Sequence, residues 1–367
     1  MDLLEGKVLK NMNIAMADGV FLNNHIYFSN VPSNGLFRIN VNTKKMEIIG
    51  FFQDERIEAG FLHKRCFAYG DKIFFLPAYS RSIDIYDAST GEFLKITFEN
   101  EVEGEAVLDA VKVESDIYIF PRNARCVPIK LNMETMDFSE VPGFDTWIDD
   151  YVPHDDPEKF YRVTYNDGRI YFAIRGTDLV AEWNLITNDF NTYKTALNNI
   201  INVYVSGNTL YFSLREKYGL GKLDLKNGNV KYMECADKNI YNANMYGCVF
   251  KLNDGVGLAP AYGKYIHCFD ENGCIWEYKT DDEIEGDYKF YRYAQVGDDI
   301  WLLPLVINEI YILRKDYKIH KMTLSMSDEI MSVYKKALLK ERMMDKPLIS
   351  EDADCKLEDF VGYISGK

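Results

Sequence analysis

Three arginines occupy matching positions in successive parts of the chain. Arg122, Arg175 and Arg215 each stand five positions after the first residue of an apolar, strand-like run. Guanidinium groups at equal positions in neighbouring structural units come close together, and they repel unless anionic groups lie between them. The pattern therefore predicts either a site for an anionic ligand or internal ion pairs with acidic loop residues, and the sequence leaves both open. The acidic residues considered are Glu103, Glu105 and Asp156.

Three tyrosines fall in the segments that follow the same kind of run, namely Tyr79, Tyr218 and Tyr262. An aromatic face with a polar hydroxyl suits sugar or aromatic ligands, so the three are candidate ligand-contacting residues. The chain contains 26 tyrosines, and this abundance favours the alternative that they are half-exposed packing residues.

Other reactive constellations are missing from the sequence. Residues 143–158 are rich in carboxylates and contain His154, but they lack the alternating Asp-x-Asp-x-Asp-Gly spacing that wraps calcium. We interpret them as a long, solvated acidic loop. The other histidines show neither HxH nor HExxH spacing, and no nucleophile elbow, phosphate loop or dinucleotide motif is present. We therefore predict no metal, no cofactor and no nucleophilic mechanism.

Seven apolar runs with strand-like alternation must position these residues. Each follows a turn-forming pair such as Asp167-Gly168, which supplies the positive φ of a two-residue hairpin. Each run is therefore expected to pair antiparallel with the strand-like segment on the other side of that turn. An Asp or Asn stands fourteen positions after the start of five runs, and a proline four positions after the start of four. The runs, spaced 40 to 53 residues apart, begin at Ile26, Ile73, Ile117, Ile170, Leu210, Val256 and Ile300.

This spacing is typical of propeller blades, and the units can bury both faces only by stacking on one another. We predict an all-β fold over residues 1–325, a seven-bladed β-propeller of four-stranded antiparallel blades. Gly257 marks the weakest repeat, because the other repeats have a larger residue there. Residues 7–12 either add an outer strand to the last blade or lie along the seam of the ring.

The repeat resembles those of WD40, kelch and YVTN-type propellers. It departs from them in lacking the Gly-His and Trp-Asp pairs of WD40 blades and the double glycine of kelch repeats. Its apolar runs, which are (I/L)YF-x-P-like, are also similar to those of bacterial propeller proteins with a helical tail. The resemblance implies the fold and no particular activity.

Residues 326–367 are predicted to form a helical tail. The first helix covers residues 326 to 345, with Ile330, Tyr334 and Leu338 on one face. A second, shorter amphipathic pattern begins at Leu357. The apolar face either covers the propeller or docks a partner protein.

The composition narrows the class of protein. The net charge of −15, from 42 basic and 57 acidic residues, argues against a general nucleic-acid or anionic-membrane surface. The N-terminus lacks the pattern of a secretory signal, so a cytoplasmic location is expected. The seven cysteines show no CxxC spacing and are expected to be reduced. Cys268 and Cys274 could meet across a hairpin, but burial as small apolar residues is favoured.

From these features we predict a non-catalytic binding or scaffolding module. It would use the propeller face that carries the three arginines, and its partner would be a protein or an anionic small molecule or glycan. The alternative is a propeller lyase or hydrolase acting on an anionic carbohydrate, in which the arginines hold the carboxylate or phosphate and acidic residues supply acid–base chemistry.

Overall fold

The computed structural model describes residues 14–97, 106–122, 127–152, 159–215, 217–235, 245–253, 255–280 and 289–345. Within these ranges, 28 strands form seven four-stranded antiparallel sheets, and there are two helices. Each sheet consists of four consecutive strands, A to D from the channel outward, and is one blade. The prediction of a seven-bladed β-propeller with a C-terminal helix is therefore confirmed.

The strands share one order in every blade. The A strands are β1 (Val20–Leu22), β5 (His63–Tyr69), β9 (Val107–Val113), β13 (Phe160–Asn166), β17 (Ile200–Ser206), β21 (Tyr246–Leu252) and β25 (Phe290–Val296). The B strands are β2 (His25–Ser29), β6 (Lys72–Pro77), β10 (Asp116–Pro121), β14 (Arg169–Ile174), β18 (Thr209–Leu214), β22 (Gly255–Pro260) and β26 (Asp299–Pro304). The C strands are β3 (Leu36–Asn40), β7 (Ser82–Asp87), β11 (Ile129–Asn132), β15 (Leu179–Asn184), β19 (Gly219–Asp224), β23 (Tyr265–Phe269) and β27 (Glu309–Leu313). The D strands are β4 (Met46–Gly50), β8 (Phe93–Thr97), β12 (Phe138–Glu140), β16 (Phe190–Lys194), β20 (Val230–Glu234), β24 (Cys274–Lys279) and β28 (Ile319–Thr323).

Local turn chemistry explains this regularity. Asp167 and Gly168 have φ of 47° and 74°, which suits the tight turn between β13 and β14. At the C–D turn of the same blade, the side chain of Asn184 accepts the backbone N–H of Ile186 at 2.9 Å and of Thr187 at 3.3 Å. The A–B and C–D turns lie at one end of the propeller, which we call the A–B face. The B–C loops lie at the other end, the B–C face.

Gly257 does not weaken the sixth blade. It lies opposite Phe250 in the pairing of β21 with β22, and a Cβ atom built on it would come within 2.0 Å of the Phe250 ring. The ring thus occupies the space that a side chain would need. The glycine is required by packing, and the blade is as complete as the others.

The ring closes without exchanging a strand among the described residues. Blade 1 is β1 to β4 and blade 7 is β25 to β28. Met16 N–H donates to the carbonyl of Pro304 at 2.8 Å, and Phe28 and Trp301 belong to one buried cluster that spans the seam. Residues 7–12, for which two positions were predicted, lie outside the described residues.

Helix α2 (Asp328–Asp345) packs over the seam between blades 7 and 1, in agreement with the predicted tail helix. Ile330, Tyr334 and Leu338 are buried, so the propeller itself covers this face. The Tyr334 hydroxyl donates to the carbonyl of Asn34 at 2.9 Å and lies 2.9 Å from Ser33 Oγ. The second amphipathic pattern, from Leu357, falls outside the described residues.

The acidic insertion is not wholly a loop, contrary to the prediction. Helix α1 (Phe144–Asp149) forms there, because Phe144, Ile148 and Val152 recur at helical spacing and are buried with Phe160 of blade 4. The spacing was present in the sequence but was masked by the surrounding carboxylates. In the described part of the chain, no helix is both long and apolar enough to cross a membrane.

Candidate functional site

A repeated backbone irregularity places one residue of every blade on the channel. In β5, His63 pairs with Pro77 but Arg65 pairs with Leu76, so one extra residue stands between them as a β-bulge. The same shift occurs in the other long A strands and just before β1. A bulge redirects the side chain that follows it. We call the seven residues after the bulges the channel ring: Asp18, Arg65, Asp109, Arg162, Asn202, Cys248 and Arg292.

Asp109 is the ring's central counter-ion. It is 1% exposed, and it accepts the backbone N–H of Val163 at 3.0 Å. Its Oδ1 lies 3.2 Å from Arg65 Nε. The same oxygen forms an ion pair with Arg292, which reaches across the channel from blade 7 to Asp109 in blade 3. Burial would raise the pKa of Asp109, but Arg292, Arg65 and Arg162 outweigh that effect and hold the pKa well below its usual range.

The second ring carboxylate is also engaged. Asp18 Oδ2 lies 3.2 Å from Arg65 Nη1 and accepts the backbone N–H of Cys66 at 3.1 Å. Arg65 therefore bridges the carboxylates of the two neighbouring blades. Both acidic groups of the ring serve as fixed counter-charges.

Arg162 is held by backbone carbonyls and an aromatic face. Its Nη2 donates to the carbonyl of Tyr291 at 3.3 Å, and its guanidinium lies 3.8 Å from the centroid of the Tyr291 ring. Burial opposes ionisation of the Tyr291 phenol, but the positive charges of Arg162, Lys64 and Arg292 prevail and lower its pKa. Tyr291 thus lies close to three positively charged side chains.

A cavity of about 420 Å³ extends from the channel ring toward the A–B face. Its wall contains the three ring arginines together with Lys112, Thr164 and Tyr204. Four cationic residues thus face one lining carboxylate, that of Asp18, in a chain whose net charge is −15. The cavity has the size of a small-molecule site. Arg292 Nε is buried and has no hydrogen-bond acceptor among the described residues.

The predicted arginines lie at the opposite end of the channel. The backbone N–H groups of Arg122, Arg175 and Arg215 each donate to the carbonyl of the residue just before the A strand of the same blade, at 3.1, 3.1 and 2.9 Å. Every blade makes this bond, so the three positions are structurally equivalent, on the B–C face. Their side chains are half-buried. Glu103, Glu105 and Asp156, the suggested partners, lie outside the described residues, so the choice between ligand and ion pair stays a prediction.

The three predicted tyrosines have different environments. Tyr79 is 54% exposed and rests on Phe61, and Tyr262 is half-buried. Tyr218, in contrast, is 5% exposed, with its ring edge-on to Tyr246 in the core between blades 5 and 6. The Tyr218 ring is thus far less accessible than that of Tyr79, and the ligand-contacting role of the three tyrosines stays a prediction.

The described residues contain no group of three His, Cys, Asp or Glu side chains that could hold a metal ion. In the acidic insertion, Asp149 pairs with the buried Lys159. His154 lies outside the described residues. Asp149 therefore serves there as the counter-charge of a buried lysine.

Sequence reasoning missed the channel ring, although a signal was present. Each ring residue stands eight positions before the start of its apolar run, as 65 stands before 73 and 292 before 300. At that offset the seven residues are Asp, Arg, Asp, Arg, Asn, Cys and Arg. Charged residues at a constant place in otherwise apolar A strands would have indicated the site.

Comparison with known proteins supports the fold. No protein-family model and no curated protein matches the chain. A streptogramin B lyase structure is similar with a TM-score of 0.54 and 17% identity, over 71% of this chain and 82% of that chain. Catalytically inactive virginiamycin B lyase from Staphylococcus aureus with quinupristin is similar with a TM-score of 0.54 and 15% identity, over 71% of this chain and 84% of that chain. The structure of the RRP9 WD40 repeats is similar with a TM-score of 0.58 and 9% identity, over 81% of this chain and 90% of that chain. Likeness at these identities shows the propeller architecture alone.

Proposed function

We propose that this propeller is a binding module that takes up a small carboxylate- or phosphate-bearing molecule in its central cavity. The observation that carries the proposal is the channel ring, in which Arg65, Arg162 and Arg292 meet beside a cavity of about 420 Å³. Guanidinium groups bind carboxylate and phosphate through paired, charge-assisted hydrogen bonds. An anion there would also supply the acceptor that the buried Arg292 Nε lacks among the described residues.

The state of the carboxylates favours binding over acid–base catalysis. A general acid or base works best with a pKa near the working pH. Asp109 is held as an anion by the flanking guanidinium groups, which keep its pKa well below the usual range. Asp18 is paired with Arg65. The described ring therefore favours binding over the lyase or hydrolase alternative.

The B–C face remains a second proposed binding surface. Arg122, Arg175 and Arg215 hold equivalent backbone positions there, and Tyr79 is exposed in a neighbouring B–C loop. We propose that this surface contacts an acidic protein partner or a larger anionic glycan. It is separated from the cavity by the ion pairs of the channel ring.

One experiment distinguishes the two surfaces. Thermal-shift titrations at low ionic strength would use phosphate, citrate and glucuronate with wild type, Arg162→Gln and Arg175→Gln. We expect a saturable rise in Tm for wild type and Arg175→Gln, an affinity about tenfold weaker or worse in Arg162→Gln, and weakening with salt. A shift that Arg175→Gln loses and Arg162→Gln keeps would move the site to the B–C face. No shift for any anion in wild type would refute the cavity proposal.

A further inference from the structure

The channel ring is charged on one side and uncharged on the other. Its five charged residues belong to blades 1 to 4 and blade 7, whereas the remaining two, Asn202 and Cys248, belong to the neighbouring blades 5 and 6. Both of these line the cavity of about 420 Å³. Blades 5 and 6 therefore give the cavity a wall without charge. We call this wall the neutral sector: Asn202, Val203, Tyr204, Cys248 and Val249.

The polar groups of the neutral sector are either engaged within the protein or uncharged. Asn202 Nδ2 donates to Ser213 Oγ at 2.9 Å and to the carbonyl of Tyr246 at 3.0 Å, so the amide donors of this side chain already have acceptors. Burial raises the pKa of the Cys248 thiol to about 12. Burial also raises the pKa of the half-buried Tyr204 phenol. Neither group is therefore ionised at neutral pH.

Apolar groups make up the rest of this wall. Val203 and Val249 stand directly after the ring residues of blades 5 and 6. The buried, free thiol of Cys248 acts as a further small apolar group. Cys268 is buried in the same way, whereas Cys274 is exposed, so the burial expected for Cys274 from the sequence was wrong. The neutral sector thus offers a ligand mainly apolar and aromatic contacts.

The charges of the ring set the charge of a fitting ligand. Three guanidinium groups and two carboxylates leave one excess positive charge in the ring. Asp18 is paired with Arg65, and Asp109 with Arg65 and Arg292. A head group with a single negative charge balances the excess. A carboxylate meets this condition, whereas a phosphate ester carries about −1.5 to −2 at neutral pH.

We propose that the cavity selects organic monocarboxylates that have a compact apolar or aromatic body. The inference rests on the binding function proposed above and adds the class of ligand. The carboxylate lies at the ring arginines, where the buried Arg292 Nε has no hydrogen-bond acceptor among the described residues. The body lies against the neutral sector and removes apolar surface from water.

The same geometry disfavours hydroxylated ligands. A sugar acid would place its hydroxyl groups against Val203, Val249 and the Cys248 thiol, which cannot replace the hydrogen bonds that those groups make with water. The volume of about 420 Å³ is near the lower end of the usual range for small-molecule sites, so the body must be compact.

Calorimetric titration of the full-length wild-type protein at low ionic strength tests the proposal. The ligands are benzoate, acetate, glucuronate and benzamide. Benzoate and acetate share the carboxylate, so the difference between them measures the body. We expect benzoate to bind at least about tenfold tighter than acetate, and tighter than glucuronate. Benzamide has the ring without the charge and should bind at least about tenfold more weakly than benzoate. Benzoate binding should also show a negative heat-capacity change.

A matched pair of variants tests the neutral sector itself. Val203→Thr keeps the branched shape and adds a hydroxyl group to this wall. We expect it to lower the ratio of benzoate affinity to phosphate affinity by about threefold or more. Val205→Thr is the control, because Val205 lies in the same strand β17, is 4% exposed against 7% for Val203, and is not part of the cavity wall. The control should keep the wild-type ratio, and an equal fall in both variants would contradict the proposal.

The outcomes separate this inference from the binding function on which it rests. If phosphate binds and Arg162→Gln weakens it, but benzoate binds no tighter than acetate or glucuronate, the selection of an apolar body is wrong and the binding function stands. If no anion binds to the wild-type protein, both are wrong.

Discussion

At the scale of single residues, the channel depends on Asp109. It is the buried carboxylate shared by Arg65 and Arg292, and it also accepts a backbone N–H. Removing one member of a buried ion pair leaves an uncompensated charge, which costs about 3–5 kcal/mol. We therefore expect Asp109→Asn to lower the free energy of unfolding by that amount in urea titrations. Asp298→Asn, at an exposed pair with Lys315, is the control and should change it by less than about 1 kcal/mol.

The pH dependence of stability should follow the same residue. The pKa of folded Asp109 lies below its unfolded value near 3.8, so its contribution is complete above that value and is lost as pH falls toward the folded pKa. Wild type should lose stability below about pH 4 more steeply than Asp109→Asn does. Parallel acid limbs in the two unfolding curves would contradict the assigned role.

The sequence predicted one arginine constellation and overlooked another. Arg122 and its equivalents were found because they follow the conspicuous B strands. The ring arginines lie in A strands whose bulge cannot be seen in a pattern of alternation, because the extra residue inverts the inward and outward positions. Which side chains face the axis was therefore not predictable from periodicity, whereas the constant offset from the B strand was available.

At the scale of elements, the sixth blade needs a glycine in its B strand, because an aromatic ring occupies the space of a side chain there. Gly257 lies under the Phe250 ring, and a Cβ atom would come within 2.0 Å of it. Gly257→Ala should lower the free energy of unfolding by about 1–3 kcal/mol, because Phe250 must leave its position in the core. Chemical denaturation measures the loss. Gly50→Ala is the control, since its nearest contact is the more exposed Phe93 ring at 3.1 Å, and an equal loss there would point to a general glycine effect.

The elements themselves were largely predictable. The seven B strands begin one residue before the predicted positions, and Pro77, Pro121, Pro260 and Pro304 end theirs. The ends of these strands are predictable because they are set by short local sequences, namely the turn-forming pairs between A and B strands and the Asp or Asn that caps the C–D turn. Helix α1 was missed because six residues give too short a periodic signal within an acidic segment.

At the scale of the whole molecule, helix α2 contributes to closing the ring. Tyr334 is fully buried over the seam between blades 7 and 1, and its hydroxyl bonds to Asn34 and Ser33. Tyr334→Phe should cost about 1–3 kcal/mol, because buried partners lose their hydrogen bonds. Differential scanning calorimetry should show a lower Tm. Lys336→Ala, on the exposed face of the helix, should leave the Tm unchanged, and an equal decrease there would argue against a specific role for the hydroxyl.

The bulge that recurs in the blades turns one side chain per blade toward the channel, whereas other residues hold each sheet together. Each ring position projects from its own blade, while the sheets are held by their turns, their apolar cores and their backbone ladders. Substitution at the ring can therefore alter the charge of the channel while each blade keeps its own strands and turns, although loss of a paired carboxylate such as Asp109 lowers stability. Propellers of this design could diversify their ligand preferences through seven inherited positions, and a homologue with a different ring composition would be expected to select a ligand of different charge.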